Sequence, residues 1–135
     1  MGNQRQYNPS GGFSDYKYHS VGDVIKADGL TGKVIAKNDS GPNNLPNYSN
    51  TSTYYFRMGP DGNIDQMRMY ENRKMKLDFD WGHVHGDRDT GKVYPKGVVH
   101  VQDRETGKVR YMNNAEIKKY AKFLRAADPN VKFRP

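Results

Sequence analysis

The chain has no cysteine among its 135 residues. Disulfides, thiolate metal sites and cysteine nucleophiles are therefore excluded. Apolar residues are scarce as well, at 34% with a mean hydropathy of −1.04. Any core must be thin, and the ten tyrosines and five phenylalanines have to supply much of its volume, because aromatic rings bury large areas per residue. No apolar run approaches the ~20 residues of a membrane span, and the first residues lack the hydrophobic stretch of a signal peptide. No phosphate-binding Walker loop, serine elbow or dinucleotide fingerprint is present.

What the chain does carry is positive charge. Lys and Arg number 22 against 15 Asp and Glu, giving a net charge of +7 and a pI near 9.5. A domain of this size and sign favours an anionic partner such as nucleic acid or an acidic protein. The length suits one domain. Residues 1–20 are polar and broken by Asn8-Pro9 and Gly11-Gly12. They read as a flexible lead-in or linker, or as an ordered arm packed through Phe13, Tyr16 and Tyr18. Residues 21–135 read as the single folded domain.

Within that domain the pattern predicts strands joined by hairpins. Val24-Ile25 and Lys33 to Ala36 flank Asp28-Gly29 and Thr31-Gly32, whereas residues 38–51 form a loop. Thr53 to Met58 and Ile64 to Tyr70 flank Gly59-Pro60-Asp61-Gly62-Asn63, a proline-then-Asp-Gly turn. Lys74 to Phe79 alternates charged with apolar residues as a third strand. Val98 to Gln102 and Lys108 to Met112 make a second hairpin. Alternation puts Val99 and Val101 on a packed face, leaving His100, Gln102 and Arg110 on a polar one. Asn113 and Glu116 form an Asn-x-x-Glu capping box, followed by Ile117, Tyr120, Ala121 and Leu124 at core-facing helical spacing. Asp128-Pro129 ends that helix, and Val131 to Phe133 reads as a short last strand. The expected architecture is α+β, a mainly antiparallel twisted β-sheet built from hairpins with a C-terminal α-helix.

The chemistry concentrates in Asp78-Phe79-Asp80-Trp81-Gly82-His83-Val84-His85-Gly86-Asp87. His83 and His85 lie two apart and point to one side of an extended segment, with His100 on a neighbouring strand. Histidine titrates near neutrality, so such a group can take a proton from a 2′-hydroxyl and return one to a leaving 5′-oxygen without metal. The same imidazoles could instead hold zinc, with Asp78, Asp80 or Asp87 completing the set. A further alternative is a non-catalytic basic module that binds nucleic acid or an acidic protein. Arg68 and Lys96 are candidates to stabilise phosphorane charge; Tyr70, Arg110 and Trp81 are candidates for substrate contact, Trp81 by stacking on a base. Asp78 and Asp80 are candidates to orient the imidazoles. Arg73 and Lys74 could hold phosphate but read more simply as a solvated strand face, and His19 as incidental.

The order of features from Tyr54 to His100 resembles the C-terminal toxin domains of bacterial polymorphic toxins, of the contact-dependent inhibition, Rhs and LXG types. The matching stretches are Gly-Pro-Asp-Gly-Asn-Ile, Met67-Arg68-Met69-Tyr70, Leu77-Asp78-Phe79-Asp80, the histidine cluster, and Pro95-Lys96-Gly97-Val98-Val99-His100. This resemblance implies an antibacterial ribonuclease toxin with a barnase-like or EndoU-like fold and metal-independent histidine chemistry, carried by His83, His85 and His100. It further implies a monomer delivered as the C-terminal part of a larger secreted bacterial protein and acting on RNA in the target-cell cytoplasm. A cognate, acidic immunity protein would block the site.

Overall fold

The computed structural model describes residues 3–8, 12–38 and 43–135, with side chains from position 17 on. Among the described residues, eleven strands precede one helix: β1 Asn3–Asn8, β2 Gly12–Ser20, β3 Ile25–Ala27, β4 Leu30–Lys37, β5 Tyr54–Met58, β6 Ile64–Glu71, β7 Lys74–Asp80, β8 His85–Gly86, β9 Val93–Tyr94, β10 His100–Asp103, β11 Val109–Tyr111 and α1 Asn114–Ala127. The main sheet runs β1-β2-β4-β5-β6-β7-β10-β11, with β3 paired to β4 beside that path and β8-β9 as a separate ribbon. The strand pairs are antiparallel except β4 with β5, as an α+β chain assembled from hairpins should give. Tight turns follow local sequence. Asp28-Gly29 between β3 and β4 and Asn72-Arg73 between β6 and β7 all take positive φ, the geometry of two-residue turns that match the strand twist.

The stretch read as a linker or as an ordered arm contains two strands, Asn3–Asn8 and Gly12–Ser20. β1 and β2 extend the sheet, and β2 pairs with β4 through Tyr18, His19 and Ser20. Tyr18 is buried and donates its hydroxyl hydrogen to the Asn44 carbonyl. The side chains of Phe13 and Tyr16, expected to pack with it, lie outside the described part, as does the loop stretch 39–42.

The sheet has two unlike faces. On one, Val34, Phe56, Met67, Phe79 and Val101 pack beneath α1, which contributes Tyr120, Phe123 and Leu124. The capping box forms as expected, with Asn113 and Glu116 each accepting the other's backbone N–H. Phe123, fully buried, belongs to the same helical stripe but escaped the strict i, i+3, i+4, i+7 pattern. Tyr54 and Tyr120 share a hydrogen bond of 2.9 Å inside this core. Space here is tight at Gly32, where a Cβ would stand 2.4 Å from Phe56 Cε2 and 3.1 Å from Phe123 Cζ. Gly32→Ala should therefore cost about 1–3 kcal/mol through overpacking, read as a fall in denaturant midpoint at unchanged slope. An unshifted midpoint would contradict this packing.

The other face carries a second apolar cluster of Tyr18, Ile35, Leu45, Tyr55 and Tyr70. The segment after residue 43 folds over it, held by Ser49 N–H to the Arg73 carbonyl and Met75 N–H to the Asn47 carbonyl. Past that cover, the same face runs on into buried polar residues, and there the histidines sit. Val131 to Phe133, expected as a short strand, makes a parallel bridge between Val98 and Lys132, with Val131 and Phe133 buried in the helix-side core. No helix among the described residues is long and apolar enough to cross a membrane.

Candidate active site

One rung of backbone pairing builds the floor of the site. Arg57 pairs with Gln66, Gln66 with Asp80, Asp80 with His100, and His100 with Tyr111. Directly paired residues point to the same face, so a basic, an amide, an acidic, an imidazole and a phenolic side chain line up across β5, β6, β7, β10 and β11. The chain then leaves β7 at Trp81, whose N–H donates to the Asp65 carbonyl, and returns over the floor as the β8-β9 ribbon. His85 pairs with Tyr94 in that ribbon. The Tyr94 ring packs 4.9 Å from that of Tyr111 and 5.8 Å from that of His100.

This return brings the three histidines together. One ring nitrogen from each of His83, His85 and His100 lies within 4.8 Å of the others. His85 stacks on His100 with ring centroids 5.1 Å apart, and His83 meets His100 edge-on at 5.5 Å. The three differ sharply in exposure. His100 is 3% exposed, His85 half-buried and His83 exposed. His83 Nδ1 sits 3.2 Å from Asp80 Oδ1, and the same oxygen accepts the Gly82 N–H. Burial raises the Asp80 carboxyl above its ordinary range, opposed by the Gly82 N–H and by His83.

Burial, reinforced by the charges of His85 and His83, lowers His100 from 6.5 to about 4. Its Nδ1 is buried without a hydrogen-bond partner among the described residues. The depression carries a prediction. Between pH 6.5 and about 4 the unfolded chain binds this proton and the native one does not, so acidification favours unfolding. The contribution is of order 3 kcal/mol, present above the unfolded value and lost as pH falls towards the folded one. Asp65 and Asp80, raised by burial, act in the opposite direction, so the measurement is a difference. Urea unfolding from pH 7 to 4.5 in chelator should show a steeper acid loss for wild type than for His100→Gln. Equal slopes, with a His100 ring proton titrating near pH 6.5 by NMR, would contradict it.

Arg57 is the functional candidate that the sequence reading missed. Its charge sits at a strand position that alternation marks as ordinary solvated surface. In the fold it donates from Nε to Asp65 Oδ1 at 2.9 Å and lines a cavity of about 510 Å³ with Met58, Asp65, Gly82 and His83. Asp65 is wedged between Gly59 and Gly82, where a Cβ would stand 2.3 and 2.5 Å from its Oδ2. Those two glycines leave room for the carboxylate that fixes Arg57 beside His83.

Several expected site residues are committed elsewhere. Arg68 is buried, and its guanidinium clasps Asp78 through Nε at 2.6 Å and a terminal nitrogen at 3.0 Å. It also donates to the carbonyls of Leu45 and Pro46. Arg104 reaches the second Asp78 oxygen at 3.4 Å, so Asp78 orients arginines and not imidazoles. Tyr70 is buried with its hydroxyl on the Pro46 carbonyl. Trp81 is 3% exposed and donates from Nε1 to Asp128, which leaves no face for a base. Arg110 pairs in register with Val101, on the helix side, and holds both oxygens of Glu116. The register of β10 with β11 puts Val109 and Tyr111, not Arg110, with His100 and Gln102. Lys96 lines a different cavity, of about 450 Å³, with Asp61, Asp65 and Asp128. Asp87 spends both carboxylate oxygens on the turn that joins β8 to β9, accepting from Asp89 N–H and Thr90 Oγ1. His19 contacts Asn38 Oδ1 on an exposed edge far from the cluster in sequence.

No protein-family model, no curated protein and no solved structure matches the chain.

Proposed function

We propose that the chain is a ribonuclease domain of the polymorphic-toxin kind, cleaving RNA by histidine proton transfer without metal. The observation that carries this reading is the convergence of His83, His85 and His100 from two separate segments, with the exposed member held by a partly buried carboxylate on the rim of a cavity that also presents Arg57. A base oriented by a carboxylate through its second ring nitrogen is the arrangement that activates a hydroxyl. Asp80 accepts from His83 Nδ1–H, which leaves the Nε2 lone pair to take the proton of an RNA 2′-hydroxyl. The freed oxygen attacks phosphorus, the bond to the 5′-oxygen breaks, and protonated His85 supplies the leaving oxygen with its proton. The products are a 2′,3′-cyclic phosphate and a 5′-hydroxyl end. Arg57 stabilises the charge that builds on the phosphoryl oxygens. His100, buried beneath both rings, is a positioning residue for His85.

The barnase-like or EndoU-like architecture implied by the resemblance goes with this reading, since a sheet covered by a helix on one face is free to offer catalytic side chains from the other. The net charge of +7 suits both an RNA substrate and an acidic immunity partner, and the toxin role places the action in a target cell. Incubation of the pure chain with total RNA and with tRNA, with and without EDTA, tests the proposal. Cleavage that persists in EDTA is expected. Intact RNA under every condition would leave a basic binding module instead.

A further inference from the structure

We infer that His83, His85 and His100 also form a three-imidazole site for a divalent transition ion of the zinc type. Their ring nitrogens already lie within 4.8 Å of one another. Tetrahedral zinc with bonds of ~2.0–2.1 Å would need nitrogens roughly 3.4 Å apart, so the cluster must tighten by little more than an ångström. The side chain best able to move is the one that is exposed, His83 at 52%, while His100 and His85 are held by their mutual stack and by Tyr94.

Two further features point to a cation. The first is His100 Nδ1, a fully buried ring nitrogen without a partner among the described residues. An unsatisfied buried polar atom is rare and costly in folded chains, and it marks a site built to be completed from outside the chain. The second is Asp80, which contacts His83 Nδ1. Carboxylates that accept from the far nitrogen of a ligating histidine fix its tautomer and ring angle, and they are a regular part of histidine metal sites. Here the contact turns His83 Nε2 towards the ion. The donor set chooses the metal: neutral imidazoles suit zinc, cobalt, nickel or copper, whereas magnesium and calcium want oxygen ligands. Neither Asp78 nor Asp87 has an oxygen to spare. His83 is the exposed member of the three, so a fourth ligand would come from the solvent side as water or an anion.

Binding would occupy the nitrogens that the proposed cleavage uses. A bound ion therefore acts as an inhibitor of proton transfer, and that consequence rests on the ribonuclease reading. The site itself does not. The metal-stripped 135-residue chain, titrated with Zn²⁺ by calorimetry and with Co²⁺ by visible absorption, reads the site without RNA. One equivalent should bind, with the intense absorption of tetrahedral cobalt. His83→Ala and His85→Ala should each abolish that signal, and Asp80→Asn should weaken binding 10–100-fold. No binding by the wild-type chain, or wild-type binding by either alanine variant, overturns the site. A parallel RNA assay separates the two claims. Loss of cleavage at one equivalent of Zn²⁺ agrees with both, whereas cleavage that requires Zn²⁺ keeps the site and overturns metal-free chemistry.

Discussion

His83→Ala should lower RNA cleavage by about 10²–10⁴-fold, the contribution typical of a positioned proton-transfer group, while stability changes by less than about 0.5 kcal/mol. The separation follows from exposure. His83 projects from the turn after β7, and the alanine variant leaves no buried gap. The Asp80 contact and the edge-on ring contacts to His85 and His100 are lost, and Asp80 keeps the Gly82 N–H. His85→Ala should show a loss of similar size, because it removes the proposed acid. Asp80→Asn should fall between wild type and His83→Ala, since an amide can still contact the ring but no longer favours the Nδ1–H tautomer. Single-turnover cleavage of one labelled RNA checks the series. Wild-type rates in His83→Ala would remove the residue from the mechanism.

Arg68→Ala should cost about 3–5 kcal/mol of folding stability, the range for breaking a buried ion pair by deleting one partner. Asp78, 5% exposed, would keep only the longer contact to Arg104, and the Leu45 and Pro46 carbonyls would lose their donor. That donor pins the segment that covers the second apolar cluster, so the loss spreads to Tyr18, Tyr55 and Tyr70. Arg68→Lys should not restore stability, because an ammonium cannot grip both carboxylate oxygens at once. A double change, Arg68→Leu with Asp78→Leu, should recover most of it, since well-packed apolar pairs replace buried ion pairs at little cost. The recovered variant should also cleave RNA as wild type does. Denaturant unfolding and the RNA assay together check this. A stable Arg68→Ala protein with impaired RNA binding would instead return Arg68 to the substrate surface.

The contrast between these two predictions shows what the sequence could and could not reveal. Hairpins and the helix were legible because their signals are local: Asp28-Gly29, Gly59 to Asn63 and the Asn113–Glu116 box act within a few residues. The histidine cluster was legible because His83 and His85 lie together and His100 falls at an alternating strand position. What stayed hidden depends on which strands meet. The parallel step from β4 to β5 and the placing of β10 against β7 are long-range pairings that no local pattern encodes. The role of Arg57 appears only when its rung is followed across four neighbours. Arg68 and Asp78 sit at positions that alternation marks as outward and wet, yet a loop covers them. The one hint was Leu45 beside Pro46, an apolar residue stranded in a polar loop. Arg110 was misplaced because alternation gives two faces but not which of them joins the neighbour's polar side.

The central claim is attack of the RNA 2′-oxygen on phosphorus after histidine takes its proton, and one assay addresses that step directly. A single RNA cleaved by the wild-type chain in EDTA is compared with the same sequence bearing 2′-O-methyl groups throughout, and the product ends are mapped. The account predicts 2′,3′-cyclic phosphate ends from the RNA and no cleavage of the methylated strand. Cleavage of the methylated strand, or 5′-phosphate products from either, would contradict it.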